Sequence, residues 1–143
     1  MPVFSKEAFV RMFLIAEKHY PTEACGILLG DKSLKQIDLI YEMENMVEGP
    51  DSNSHFKLNP VEILHIEELA EQQGQEILGF YHTHPDKPAI PSQEDKKHMI
   101  PNLIYVISSI KGQKLTDIKA YKLDDIDGNI VEIPFLTEEG LKK

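Results

Sequence analysis

The sequence is poor in cysteine: Cys25 stands alone, so no internal disulfide framework can form and the chain suits a reducing compartment. It is also short of positive charge, with 15 Lys and Arg against 24 Asp and Glu, a net charge of −9. Phosphate contacts need clustered Lys and Arg. The basic pairs Lys96-Lys97 and Lys142-Lys143 are too small for such a footprint, which argues against a nucleic-acid partner. No apolar run is long enough to cross a bilayer, and the opening MPVFSKEAFV lacks the basic stretch and apolar core of a signal peptide. No membrane partner and a cytoplasmic location are therefore expected.

What is present fits one domain over residues 1–143. At 41% hydrophobic and 27% charged, the chain can bury a core without staples. Residues 5–20 read as a helix, capped by Ser5, with Phe9, Met12, Phe13 and Ala16 on its apolar face and Pro21 at its end. ACGILLG is a short apolar run with the signature of a buried strand. A second strand is expected from about Leu34 to Glu44, with Ile37, Leu39 and Tyr41 alternating against polar neighbours, and a short one at HFKL. Asn59, Pro60 and Glu62 open a second helix that Gly74 stops. EILGFYH returns to a strand. A short helix follows from Ser92 to Pro101, then the strands LIYVISSI, DIKAYKL and NIVEIPF, the last two joined by a turn at Asp127-Gly128-Asn129. This order predicts an α/β sandwich around one mixed central sheet with flanking helices.

The chemistry gathers in HTHPDKPAIPSQED, residues 82–95. A strand repeats every two residues, so His82 and His84 project to one side. Two imidazoles can grip one ion, and a catalytic zinc takes three protein ligands with a fourth position open. Asp95 is the best-placed third ligand, because Pro85, Pro88 and Pro91 each fix φ and can turn the next helix toward the strand end. Against this, surface histidine pairs are common, and Ser92-Gln93-Glu94-Asp95 is by itself a good capping box. On spacing alone the two readings stand level.

His82-Thr83-His84, seven residues, Ser92, two residues and Asp95 resemble the signature of the JAMM metallopeptidases, the JAB/MPN/Mov34 superfamily. Glu23, in PTEACGILLG, stands where that family carries an upstream glutamate at the start of a buried strand. The resemblance implies a JAB/MPN-like fold, distantly similar to that of nucleobase deaminases. It implies that His82, His84 and Asp95 hold Zn2+, that Glu23 is the general base, and that Ser92 stabilises the oxyanion. It further implies an isopeptidase or peptidase acting on a ubiquitin-like or sulfur-carrier protein with a Gly-Gly tail; relatives often form a homodimer, and the sequence leaves the oligomeric state open.

Two rival functions come from other classes. Some relatives are non-catalytic scaffolds, but those lose metal ligands, and here all are present. A deaminase would need a Pro-Cys-x-x-Cys pair, which one cysteine cannot supply. Three further residues tempt. Cys25 shares its side of the strand with Glu23, and a buried packing role is expected for it. His98 lies one helical turn beyond Asp95, where a surface histidine is expected, and His55 could line a substrate groove.

Overall fold

Helix α1 (Lys6–His19) begins where the Ser5 hydroxyl accepts the Ala8 N–H. Fourteen residues are marginal as a free helix, so its stability comes from the stripe it buries. That stripe is Ala8, Met12, Ile15 and Ala16, with Phe9 and Phe13 on its flank in edge-to-face contact at 5.3 Å. The apolar face is thus turned slightly from the one the sequence spacing suggests. This computed structural model describes residues 1–124 and 126–138; the Lys142-Lys143 pair lies outside them.

Eight strands form one mixed sheet among the described residues: β1 (Val3–Phe4), β2 (Cys25–Asp31), β3 (Gln36–Met43), β4 (Glu76–Pro85), β5 (Ile104–Lys111), β6 (Lys114–Leu123), β7 (Ile130–Ile133) and β8 (Leu136–Thr137). Their spatial order is β7-β6-β5-β4-β2-β3-β1-β8. Strand β4 sits inside the sheet, antiparallel to β2 and parallel to β5. Helix α1 covers one face through Ala8, Met12 and Ile15, packed with Phe4 of β1 on Leu28, Ile40, Leu78, Tyr81 and Val106. Helix α2 (Pro60–Gln72) covers the other through Ile66 and Ala70 against Cys25, Ile27, Leu29 and Met43. Beyond it, Ala89 and Met99 flank the short helix α3 (Gln93–His98) and pack on Tyr105, Ile107 and Tyr121. The expected sandwich is present. No helix among the described residues is long and apolar enough to cross a membrane.

Two expectations fail, each for a local reason. In β3 the buried residues are Ile37, Ile40 and Met43, while Tyr41 is exposed. A bulge between Leu29 and Gly30 leaves Asp38 as an extra residue and shifts the alternation. The segment HFKL is not a strand. Its Lys57 carbonyl accepts the Met46 N–H, but the Lys57 N–H goes to the Asn45 side chain, so the ladder stops there.

A second bulge matters more. Leu28 pairs with Gly79 and Leu29 with Ile77, so Leu78 is extra in β4. Before it, the odd-numbered Ile77 faces α2; after it, the even-numbered Phe80 does, and Leu78 and Tyr81 both face α1. His82 and His84 inherit the even-numbered side. Gly79 sits at this switch, where a Cβ would stand 1.7 Å from the Ile104 carbonyl oxygen of β5. Gly79→Ala should therefore force β4 and β5 apart and destabilise the fold by about 3 kcal/mol. Urea melts of the two proteins measure this. A difference below about 0.5 kcal/mol would mean that this close approach is not a constraint.

Candidate metal centre

Three ligand-type atoms meet at the end of β4. His82 Nε2 lies 3.1 Å from His84 Nε2 and 3.2 Å from Asp95 Oδ2, and His84 Nε2 lies 3.1 Å from the same oxygen. Each arrives by a local rule. The pleat of β4 puts the two imidazoles on one side. Asp95 is aimed by a capping box: Ser92 Oγ accepts the Asp95 N–H, and the Asp95 carboxylate accepts the Ser92 N–H. The connecting loop is pinned by side chains of the neighbouring strands, with Tyr121 donating to the Ala89 carbonyl at 2.6 Å and the Ser109 hydroxyl donating to that of Lys87. The Phe56 ring stacks on His82, centroids 4.5 Å apart.

His84 Nδ1 donates to the Pro88 carbonyl at 2.9 Å, which in the neutral ring leaves a lone pair on Nε2. That lone pair faces a carboxylate oxygen. Two acceptors at 3.1 Å require a shared cation, either a proton or a metal ion. Donors about 2.0–2.1 Å from a tetrahedral zinc lie roughly 3.3 Å from one another, close to the spacing of this triangle. The donor set, two imidazoles and a carboxylate, therefore fits zinc.

Glu23, just before β2, is 4% exposed, and its carboxylate also lies within 4.8 Å of the ligand nitrogens of His82 and His84. Two carboxylates thus approach one histidine pair, and the Asp95 oxygen is the nearer. Their electrostatics differ sharply. Burial pushes the Glu23 carboxyl up to about 7; the Asp95 charge adds to this and that of His84 opposes it. Burial also acts on Asp95, but its contacts with both histidines and the Ser92 N–H outweigh it and hold its carboxyl well below the usual range. Burial lowers His82, while at His84 the opposing burial is overcome by Asp95 and the Pro88 carbonyl and the net shift is upward.

The cluster opens into a cleft of about 550 Å³ lined by Glu23, Phe56, Phe80, Ser92, Met99 and Tyr105 among others. His55 and His98 line it too. His55 bonds Glu94 of α3 across the rim at 2.7 Å, and His98 is exposed on α3. Cys25 is buried in the α2-side core with its thiol directed to the Met43 carbonyl, and burial pushes that thiol up to about 12, so it is packing. Sequence reasoning gave no role to Phe56 or Thr83. Thr83 lies between the histidines, and its hydroxyl accepts the Ala24 N–H at 2.8 Å, tying the end of β2 to β4 beside Glu23. Its place between the two histidines of the signature was the signal for it.

The family model described as prokaryotic homologs of the JAB domain matches residues 5–124. The chain belongs to that family. Among JAB-domain relatives, a desampylase of Haloferax volcanii is 32% identical over 65% of this chain and 66% of its own, just under two thirds. A desampylase of Pyrococcus furiosus is 30% identical over 79% and 86%, and a CysO-cysteine peptidase of Mycobacterium tuberculosis 27% over 83% and 79%. In structure, the JAB-domain chain is similar to a Desulfitobacterium hafniense protein solved in solution, with TM-score 0.81, 30% identity, and 96% and 93% of the two chains covered. A structure described as JAMM, a metalloprotease-like zinc site in the proteasome and signalosome, shares the fold at TM-score 0.58 and 16% identity, covering 96% and 97%.

The Glu23 carboxyl is raised from 4.5 to about 7 on folding, so its contribution to stability is full below pH 4.5 and is lost as pH rises through 7. In chelator-treated JAB-domain protein, Glu23→Gln should gain about 2–3 kcal/mol over wild type at pH 8 and nothing at pH 4.5. Denaturant melts at the two pH values check this, and parallel stability curves for the two proteins would contradict the raised carboxyl.

Proposed function

We propose that residues 1–143 form a single zinc-dependent peptidase domain of the JAMM type, cytoplasmic, which hydrolyses the amide bond at the C-terminal Gly-Gly tail of a ubiquitin-like or sulfur-carrier protein. The observation that carries this reading is the meeting of His82, His84 and Asp95 beside a buried, easily protonated Glu23 in an open cleft. The printed names of the relatives, desampylase and CysO-cysteine peptidase, support the substrate class.

In this reading His82, His84 and Asp95 hold the zinc. The ion supplies Lewis acidity, polarising a carbonyl and bringing the pKa of water to roughly 7. Glu23 takes the proton of the attacking water and returns it to the leaving amine. A carboxyl near 7 suits both directions of that transfer at neutral pH. Ser92 Oγ accepts the Asp95 N–H, so its lone pair serves the helix cap and its O–H proton is the part that donates to the oxyanion. The apolar side chains of Phe56, Phe80 and Met99 keep bulk water from the reacting carbonyl. A tail of two glycines, having no side chains, passes between the loop 45–58 and α3.

Purified protein should carry one zinc per chain by elemental analysis and cleave a Gly-Gly-tailed fusion, read by mass spectrometry. Glu23→Gln should keep the zinc and lose about 10²–10⁴-fold in kcat. Asp95→Ala should lose both metal and activity. Loss of zinc from Glu23→Gln would make Glu23 a ligand and sink the base assignment.

A further inference from the structure

Glu23 precedes β2, so no ladder of the sheet fixes its peptide. Its neighbour Ala24 is tied to β4 through both the hydroxyl and the N–H of Thr83. Among the described residues, the Glu23 peptide is held from the loop that follows β3: its N–H donates to the Ser52 carbonyl at 2.6 Å, and its carbonyl accepts from Asn45 Nδ2 at 3.0 Å. The Asn45 amide has two N–H donors and an oxygen with two lone pairs. All four are engaged. The second N–H goes to the His55 carbonyl at 3.0 Å, and Oδ1 accepts the N–H groups of Val47 at 3.0 Å and Lys57 at 3.2 Å. One side chain therefore closes the two legs of the loop on each other and fastens both to the backbone of the glutamate.

We propose that Asn45 is a positioning residue for hydrolysis, setting the Glu23 carboxylate relative to the His82–His84–Asp95 cluster through the Glu23 peptide. The proposal rests on the base role given to Glu23 above. Val47, His55 and Lys57, which the same amide bonds, also line the cleft with Phe56, so Asn45 has two separable effects. Disorder of the cleft wall alone weakens substrate binding and raises KM. Displacement of the base slows the chemical step and lowers kcat, and a shift of about 1 Å in a positioned group costs up to roughly 10²-fold.

The test is Asn45→Asp, which keeps an acceptor for Val47 and Lys57 but sets a carboxylate oxygen against the carbonyls of Glu23 and His55. On a Gly-Gly-tailed fusion, kcat should fall about 30–100-fold with KM within about twofold, and the zinc content should stay at the wild-type level. In chelator-treated protein, hydrogen exchange of the Glu23 amide should quicken at least about tenfold while that of Leu28 inside β2 is unchanged. Asn45→Ser, which adds no charge and cannot span to Glu23, gives the same readings should the Asp variant not fold. A rise in KM with wild-type kcat, or an unaltered Glu23 amide, overturns the proposal. Wild-type kcat in Asn45→Asp beside an inactive Glu23→Gln sinks only the positioning role. An active Glu23→Gln sinks the base assignment on which it rests.

Discussion

A carboxylate oxygen and two imidazole nitrogens, all within 3.2 Å of one another, are the constraint on which the rest of this molecule depends. Lone pairs at that spacing repel, and taking charge out of water costs several kcal/mol per ion unless it is paired. The surroundings oppose that repulsion from every side. The Pro88 carbonyl fixes the outer nitrogen of His84, the Ser92 N–H holds the Asp95 carboxylate, and the Phe56 ring lies flat on His82. These contacts hold the three atoms together, and a shared cation would offset their repulsion.

The sheet makes that convergence affordable by fixing parity. Strand β4 is covered on both faces, so each side chain must enter one core or the other. A slip of one residue would send both histidines into the α1 core, where Tyr81 and Val106 are fully buried. The bulge at Leu78 sets which way the strand reads, and Gly79 lets β5 approach closely enough to hold it. A device in the hydrophobic part of the strand thus decides the direction of the polar end.

How much of this was legible in the sequence follows from the range of each interaction. His-x-His and Ser-x-x-Asp are local, and both the same-side placement of the histidines and the Ser92 cap could be read from spacing. Helix limits were equally clear at Ser5, Pro21 and Asn59, whose chemistry is local too. Glu23 stood out only through the family resemblance, because an acidic residue before a strand has no signature of its own. The alternation of β3 was misread because a bulge depends on the partner strand. HFKL was misread because its would-be rung is taken by Asn45. Asn45 was invisible for the same reason: its partners at 23, 47, 55 and 57 come together only when the loop closes.

The two acidic residues at the centre show why a fold, and not a motif, divides the chemistry. Both are carboxylates near the same histidine pair, and burial raises the pKa of each. Asp95 sits in the first turn of α3, where the Ser92 N–H donates to its carboxylate and the histidine pair faces it, so its carboxyl is held well below the usual range. Glu23 is 4% exposed, with burial and the Asp95 charge raising its carboxyl to about 7, and so its proton is loosely balanced near neutrality. Had Glu23 been given the same partners, it would be a second permanent anion, able to ligate but poor at returning a proton to a leaving amine. In the proposed reading, pushing two like groups apart in acidity yields an acid–base residue and a ligand from one residue type. Here the separation comes from the burial of Glu23 on one side and, on the other, from the histidine pair and the Ser92 N–H that face Asp95.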